Sequence, residues 1–277
     1  MGRCLRWNPN DAQDILHHHL LSLMTLQRIV VAETLDTLDA GDPAAKRSRR
    51  DLQRVHKVMG TAAIVGRAFA PMVNCRRSRA PIKILELGAG DGTLLLRVAR
   101  QFGVALNGVE LTSLDRQNLM TRETIQAYAR LGWSVQLSKT DVSDWIRESA
   151  NEQGARIERW DMIFTTLFLH HLEADELALL FKVIESATDR FFACEPRRSL
   201  PALFGSHLIG VLGANAVTRN DAVLSVHAGF RGLELHAVWP MHGAEWQLTE
   251  FPAGFFGHCF SAERVVGKES CEQHLMP

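Results

Sequence analysis

Hydrophobic and polar positions change their period twice along this chain. Before Asp39 the apolar residues Ile15, Leu16, Leu20, Leu23, Leu26 and Val30 recur near helical spacing, and the pattern predicts helix. Gly41-Asp42-Pro43 breaks it. A second helix is predicted over residues 51–69, led in by the basic run Lys46-Arg47-Ser48-Arg49-Arg50. A further basic cluster, Arg76, Arg77 and Arg79, ends at Pro81.

From Ile82 short β-rich runs alternate with helical ones. Strands are predicted at residues 82–87, 104–110, 134–139, 161–165 and 191–195. The intervening helices fall at 93–102, within 114–131, and at 173–188, where Leu177, Leu180, Phe181 and Ile184 share one face. Such alternation predicts a parallel sheet covered on both faces, a doubly wound α/β fold. Three closely spaced strand-like runs at 233–239, 246–251 and 256–261 predict hairpins at the end of the sheet. The expected organisation is an N-terminal helical cap over residues 1–80 followed by one α/β domain over 81–277.

Composition narrows the classes of function. Lys plus Arg and Asp plus Glu both total 31, so a global attraction to nucleic acid or anionic membrane is not expected. A hydrophobic share of 46% with 22% charged residues is that of a globular protein. The five cysteines, Cys4, Cys75, Cys194, Cys259 and Cys271, are scattered and contain no CxxC pair. Reduced thiols and a cytoplasmic location are expected, with no disulfide framework or thiolate zinc site. The most apolar stretches, 15–31 and 199–218, are interrupted by polar residues and glycines, and no membrane span is expected.

Candidate chemistry is concentrated in Leu85-Glu86-Leu87-Gly88-Ala89-Gly90-Asp91-Gly92, which follows a predicted strand and opens a predicted helix. A glycine-rich turn there lets the backbone approach a nucleotide-like ligand. Glu110, 18 positions past Gly92, ends the second predicted strand, where a carboxylate can bind ribose hydroxyls. A nicotinamide site would want a third glycine where Thr93 stands. The E-x-G-x-G-x-G pattern from Glu86 to Gly92 instead resembles a class I S-adenosylmethionine-dependent methyltransferase.

That resemblance covers roughly residues 82–195 and implies a seven-stranded Rossmann-like sheet with S-adenosylmethionine as cofactor. It implies cofactor contacts from Glu86, Gly88, Ala89, Gly90, Asp91 and Gly92, and a ribose contact from Glu110 with Leu111 beside it. Asp141 and Val142 would meet the adenine, and Thr165, Thr166 and Leu167 would pass under the methionine part. No Asn/Asp-Pro-Pro-Tyr/Phe stretch follows the fourth strand, which argues against DNA-adenine or protein-glutamine targets. The ending Leu169-His170-His171 is similar to that of methyltransferases acting on small molecules. Residues Asp51 to His56 are similar to bacterial enzymes encoded near type III polyketide synthases.

The expected acceptor is a small apolar or aromatic metabolite, methylated on oxygen in preference to carbon. His170, His171 and Glu195, placed after the fourth strand and at the end of the fifth, are the candidate catalytic groups. Residues 200–217 are expected to line the acceptor pocket, with His207 its polar group, and Asn220, Asp221 and the segment 225–230 are further possible contacts. Metal is not expected, because no set of ligands with suitable spacing accompanies the motif. A non-catalytic cofactor-binding protein and a nicotinamide-dependent dehydrogenase remain open.

Overall fold

The structure, a computed structural model, describes residues 26–74, 81–151, 158–240 and 245–265. The chain enters as an extended strap that makes one helical turn, α1 (Thr34–Thr37). Two helices follow, α2 (Pro43–Met59) and α3 (Thr61–Asn74). Asp42 starts α2 by accepting the amides of Ala44 and Ala45, with Pro43 preset for the first turn. Gly60 stops it in the left-handed region at φ +66°, so the single helix predicted for 51–69 is two. Of the predicted N-terminal helix, residues 1–25 and the apolar positions from Ile15 to Leu23 lie outside the described residues. The cluster Arg76, Arg77 and Arg79 lies outside them as well.

The sheet then forms from β1 (Ile82–Leu87), β2 (Val109–Asp115), β3 (Trp133–Lys139), β4 (Met162–Thr166) and β5 (Arg190–Pro196), all parallel. Between them run α4 (Thr93–Phe102), α5 (Arg122–Ala129), α6 (Val142–Asn151) and α7 (Ala174–Ala187). After β5 come α8 (Leu200–Leu208), α9 (Ala216–Ala228) and the short α10 (Glu234–Val238). The hairpin of β6 (Trp246–Ala253) and β7 (Gly257–Arg264) completes seven strands in the order β3-β2-β1-β4-β5-β7-β6, with β7 antiparallel to β5. The order reverses at β1, and ligands in such sheets bind outside the carboxyl ends of the strands at that point.

Residues 26–33, within the helix predicted before Asp39, are not helical, and two further predicted elements differ. The strand predicted at 104–110 is a 3-10 turn, Gly103–Leu106, and the real strand begins at Val109. Gly103 and Gly108 both have positive φ and break the run, and the Gly108 carbonyl accepts the Ile82 amide at the base of β1. The strand predicted at 233–239 is α10. Leu235 and Trp239, four apart, are both buried on one face, and Glu250 of β6 accepts the amides of Leu235 and His236 at 3.1 and 2.8 Å.

The core has two layers. Under α3 and α4 lie Val65, Phe69, Leu95, Val98, Ile84 and Phe164, with Phe69 meeting Phe164 edge-on at 5.4 Å. The N-terminal helices therefore share the core of the sheet. On the other face Phe181, Phe191, Trp239 and Phe260 pack with ring centroids 5.1–6.2 Å apart. Each such side chain contributes roughly 1.5–3 kcal/mol on burial. Together they fix β5 and β7, and thus the end of β5 where Glu195 stands.

Candidate active site

At the carboxyl ends of β1, β2 and β4 lies a cavity of about 500 Å³. Its floor is the glycine loop. Gly88 and Gly90 adopt φ of +67° and +56°, and a side-chain carbon at Gly88 would stand 2.6 Å from the Phe168 ring. Gly88 and Ala89 donate to the Leu114 carbonyl, and Gly90 donates to Asp115 Oδ2 at 2.9 Å. Asp91 accepts from the Thr93 amide and hydroxyl and from Gln53 Nε2 at 2.6 Å, tying the loop to α2.

Glu86 is the unusual residue of this floor. It is 2% exposed, and its Oε2 has no hydrogen-bond partner among the described residues. Burial, with the charges of Asp115 and Asp91 added, pushes its carboxyl well above the usual range. His56, on α2 and also on the cavity wall, has a buried Nδ1 with no partner among the described residues. Burial and the Arg97 charge hold its imidazole down at about 4, against the pull of Asp91.

The opposite end of the cavity is polar. Glu195 is 1% exposed and accepts four hydrogen bonds. Oε1 takes the amides of Phe168 and Leu169 at 3.1 and 3.0 Å, while Oε2 takes the His170 amide at 3.4 Å and lies 2.8 Å from His170 Nδ1. The other ring nitrogen of His170 lies 3.3 Å from Glu33 Oε1, to which Ser225 also donates. His171 Nδ1 lies 3.3 Å from Asp36 Oδ2, and the two histidine ring centroids are 4.1 Å apart with the planes tilted by 35°.

Burial would lower the pKa of His170, but Glu195 and Glu33 overcome it and raise it to about 9. His171 moves the opposite way, lowered by burial and by the neighbouring His170 charge. Burial would raise Glu33, yet the bond and charge of His170 bring it below its ordinary value.

Glu33 reaches this place because the strap is anchored on both sides. Arg28 donates to the carbonyls of Ala228 and Leu172 at 2.8 and 2.7 Å, and its guanidinium lies 4.7 Å over Phe230. Asp221 of α9 accepts the amides of Thr34 and Leu35 at 2.9 and 2.8 Å.

Of the residues expected from sequence, Glu86, Gly88, Ala89, Gly90, Asp91, Asp141, Val142, Thr166, Leu167, His170 and His171 all line the cavity. Asp141 also accepts the Ser143 amide at the start of α6, and Leu167 sits at φ +52°, donating to the Cys194 carbonyl. The others do not line it. Gly92 lies beneath the loop against Met120, and Thr165 is buried with its hydroxyl on the Leu87 carbonyl. Glu195 sits behind His170.

Glu110 and Leu111 are corrected. Glu110 pairs with Lys83 near the start of β1 and borders a separate depression, while Leu111 is core. The five steps from Glu110 to Asp115 span roughly 16 Å of strand, and Asp115 holds the position at the carboxyl end of β2. The signal was available in Val109-Glu110-Leu111-Thr112-Ser113-Leu114-Asp115, a β-rich run after Gly108 that ends on an acid.

Residues 200–217 are also corrected. They do not line the cavity; Leu200, Phe204, Leu208 and Val211 are exposed, and His207 is not on the cavity wall. Of the further contacts expected, Ser225 lines the cavity, Asp221 holds the strap, and the His227 carbonyl accepts the Ile29 amide. Sequence reasoning missed Glu33, Asp36, Gln53, His56 and Asp115, which all line it.

No family model matches this chain, and no curated protein does. Solved structures do. A plantazolicin methyltransferase, BpumL, in complex with SAH aligns at TM-score 0.56 and 12% identity over 81% of this chain and 91% of its own. A related plantazolicin methyltransferase, BamL, aligns at 0.53 and 12% over 83% and 93%. An O-methyltransferase family protein from Burkholderia thailandensis aligns at 0.54 and 16% over 92% and 70%. The chain has the seven-stranded Rossmann-like fold of these methyltransferases, with its cavity at the strand-order reversal. Among the described residues no helix is long and apolar enough to cross a membrane.

Proposed function

We propose that this protein transfers a methyl group from S-adenosylmethionine to a small acceptor, with an acceptor oxygen favoured over carbon. The observation that carries this reading is Glu86: a buried carboxyl oxygen with no hydrogen-bond partner among the described residues, on the floor of the glycine-loop cavity. A cationic ligand group satisfies it, and the cofactor's ammonium supplies one. Asp115 has accepted two amides, Gly90 and Gln117, and a carboxylate with about four lone-pair sites retains capacity for ribose hydroxyls. Asp141 and Val142 stand where the adenine would lie, and Thr166 and Leu167 pass toward the histidines. Three of the solved structures named above belong to methyltransferases, two of them bound to SAH or a desmethyl analogue with SAH, which supports the same ligand.

Methyl transfer from a sulfonium is an in-line displacement with an activated leaving group, so positioning supplies about 7–11 kcal/mol of the effect. The acceptor's nucleophilic atom is received at the polar end of the cavity by His171 and Glu33. His170 and Glu195 act as positioning residues, since both His170 nitrogens are engaged and Glu195 does not reach the cavity. In this reading residues 26–74 cap the methyltransferase domain and close the cofactor end through Gln53 and His56. Thr93, bonded to Asp91, stands where a nicotinamide loop wants glycine.

The test is calorimetric titration with S-adenosylhomocysteine, with NAD in parallel. Micromolar binding of the former alone is expected, and a signal from NAD alone overturns the reading. Methylated product from a screened phenolic or polyketide-like acceptor then separates an enzyme from a non-catalytic binding protein.

A further inference from the structure

We propose that Glu33, His170 and His171 form a binding site for one divalent first-row transition-metal ion at the acceptor end of the cavity. Each offers one ligand atom, and the three atoms lie within 4.8 Å of one another. The set was invisible in sequence, because Glu33 comes from the strap, 137 positions before His170.

Three features of the geometry carry the assignment. First, two atoms each about 2.1 Å from one ion stand roughly 3.0 Å apart at a right angle and about 3.4 Å apart at the tetrahedral angle. His170 Nε2 and Glu33 Oε1 are 3.3 Å apart, the edge of such a coordination polyhedron. Second, each histidine has a ring nitrogen directed at a carboxylate, His170 Nδ1 at Glu195 and His171 Nδ1 at Asp36. Metal-binding histidines are oriented by this kind of outer partner, and an ion would take the place of the proton that His170 Nε2 now shares with Glu33. Third, all three residues line the cavity, so the remaining coordination positions open toward the acceptor and not into the core.

The donor set of two imidazoles and one carboxylate, with open positions, suits Zn2+, Fe2+ or Co2+ and not Mg2+, which prefers oxygen ligands. Its use rests on the methyltransferase reading: an ion there would hold an acceptor oxygen beside the methyl donor and favour loss of its proton to solvent. The acceptors implied are those with an ionisable oxygen able to bind a metal, such as phenols, catechols and enolisable ketones.

The experiment uses the full chain, stripped with chelator and titrated with Co2+, reading visible d–d absorption and bound metal per chain, followed by displacement with Zn2+. One Co2+ per chain is expected, with at least tenfold weaker binding in each of Glu33→Gln and His171→Asn, and no competition from Mg2+. A variant with His17, His18 and His19 all replaced by Ala should keep the site. Loss of binding in that variant alone, binding unaffected in both Glu33→Gln and His171→Asn, or no stoichiometric binding by the unmodified chain each overturn the proposal. S-adenosylhomocysteine affinity is measured on the same samples. It confirms that the variants fold, and it separates the two readings: cofactor binding without metal sinks the metal site alone, and metal without cofactor sinks the methyltransferase assignment alone.

Discussion

Glu195 Oε2 lies 2.8 Å from His170 Nδ1, and neither side chain exceeds 3% exposure. The carboxylate also closes the turn at residues 168–170 by accepting its amides, so one buried group sets both the backbone and the ring at the acceptor end. Removing one partner of a buried pair strands the other. Glu195→Ala should therefore cost about 3–5 kcal/mol in urea unfolding. Glu195→Gln, which keeps an acceptor oxygen for the amides, should cost less. Turnover in Glu195→Gln should fall while cofactor affinity stays near that of the unmodified protein, the pattern of a positioning residue.

Asp115, and not Glu110, stands at the cavity end of β2. Asp115→Ala should weaken S-adenosylhomocysteine binding by about 1–3 kcal/mol, through lost ligand contacts and a loosened Gly90. Glu110→Ala should leave affinity within about twofold, because it lies at the other end of β2. Parallel calorimetric titrations decide the matter; a larger effect at Glu110 would refute the placement.

Glu86 predicts proton release on cofactor binding. Its carboxyl is raised in the free protein by burial and by Asp115 and Asp91. A cation placed beside it favours the carboxylate and lowers that pKa, so binding expels a proton and affinity rises with pH until the free protein is ionised too. Titrations in buffers of different ionisation enthalpy should show the release, and Glu86→Gln should abolish it.

His56 predicts an acid-side loss of stability. Its imidazole titrates near 4 when folded and near its ordinary 6.5 when unfolded. Between those values the unfolded chain binds the proton and the folded one does not, so stability falls as pH drops from about 6.5 to about 4. The stability difference between His56→Leu and the unmodified chain should move in the variant's favour across that window, read from unfolding midpoints. A pH-independent difference would sink this account.

Much of the fold was legible because its causes are local. The alternation of β-rich and amphipathic runs from Ile82 to Glu195 marks β1, β4, β5 and α7 closely, and the glycine loop's chemistry is written in eight consecutive residues. Misreadings fall where a distant residue or a glycine decides. Gly108 resets the start of β2 and so transfers the acid from Glu110 to Asp115. Glu250, from β6, caps α10 and turns an apparent strand into helix. The acceptor end was half legible: His170 and His171 follow from β4, whereas Glu33 carries no local mark and arrives only through Arg28 and Asp221. The apolar stretch from Leu200 to Val211 shows the opposite failure, since low polarity in sequence suggested a pocket lining where the fold leaves an exposed face.

The distance in sequence between Glu33 and its partner Ser225, 192 positions, has a consequence for biosynthesis. A ribosome adding about 5–20 residues per second would need roughly 10–40 s between the two. During that interval the strap has no α9 to bind, and the wall it will form does not exist. The glycine loop and β1 can associate earlier, with strands that emerge soon after them. The nascent chain thus acquires the glycine-loop end of its cavity before the end walled by the strap, and the cavity is complete only when the strap finally docks.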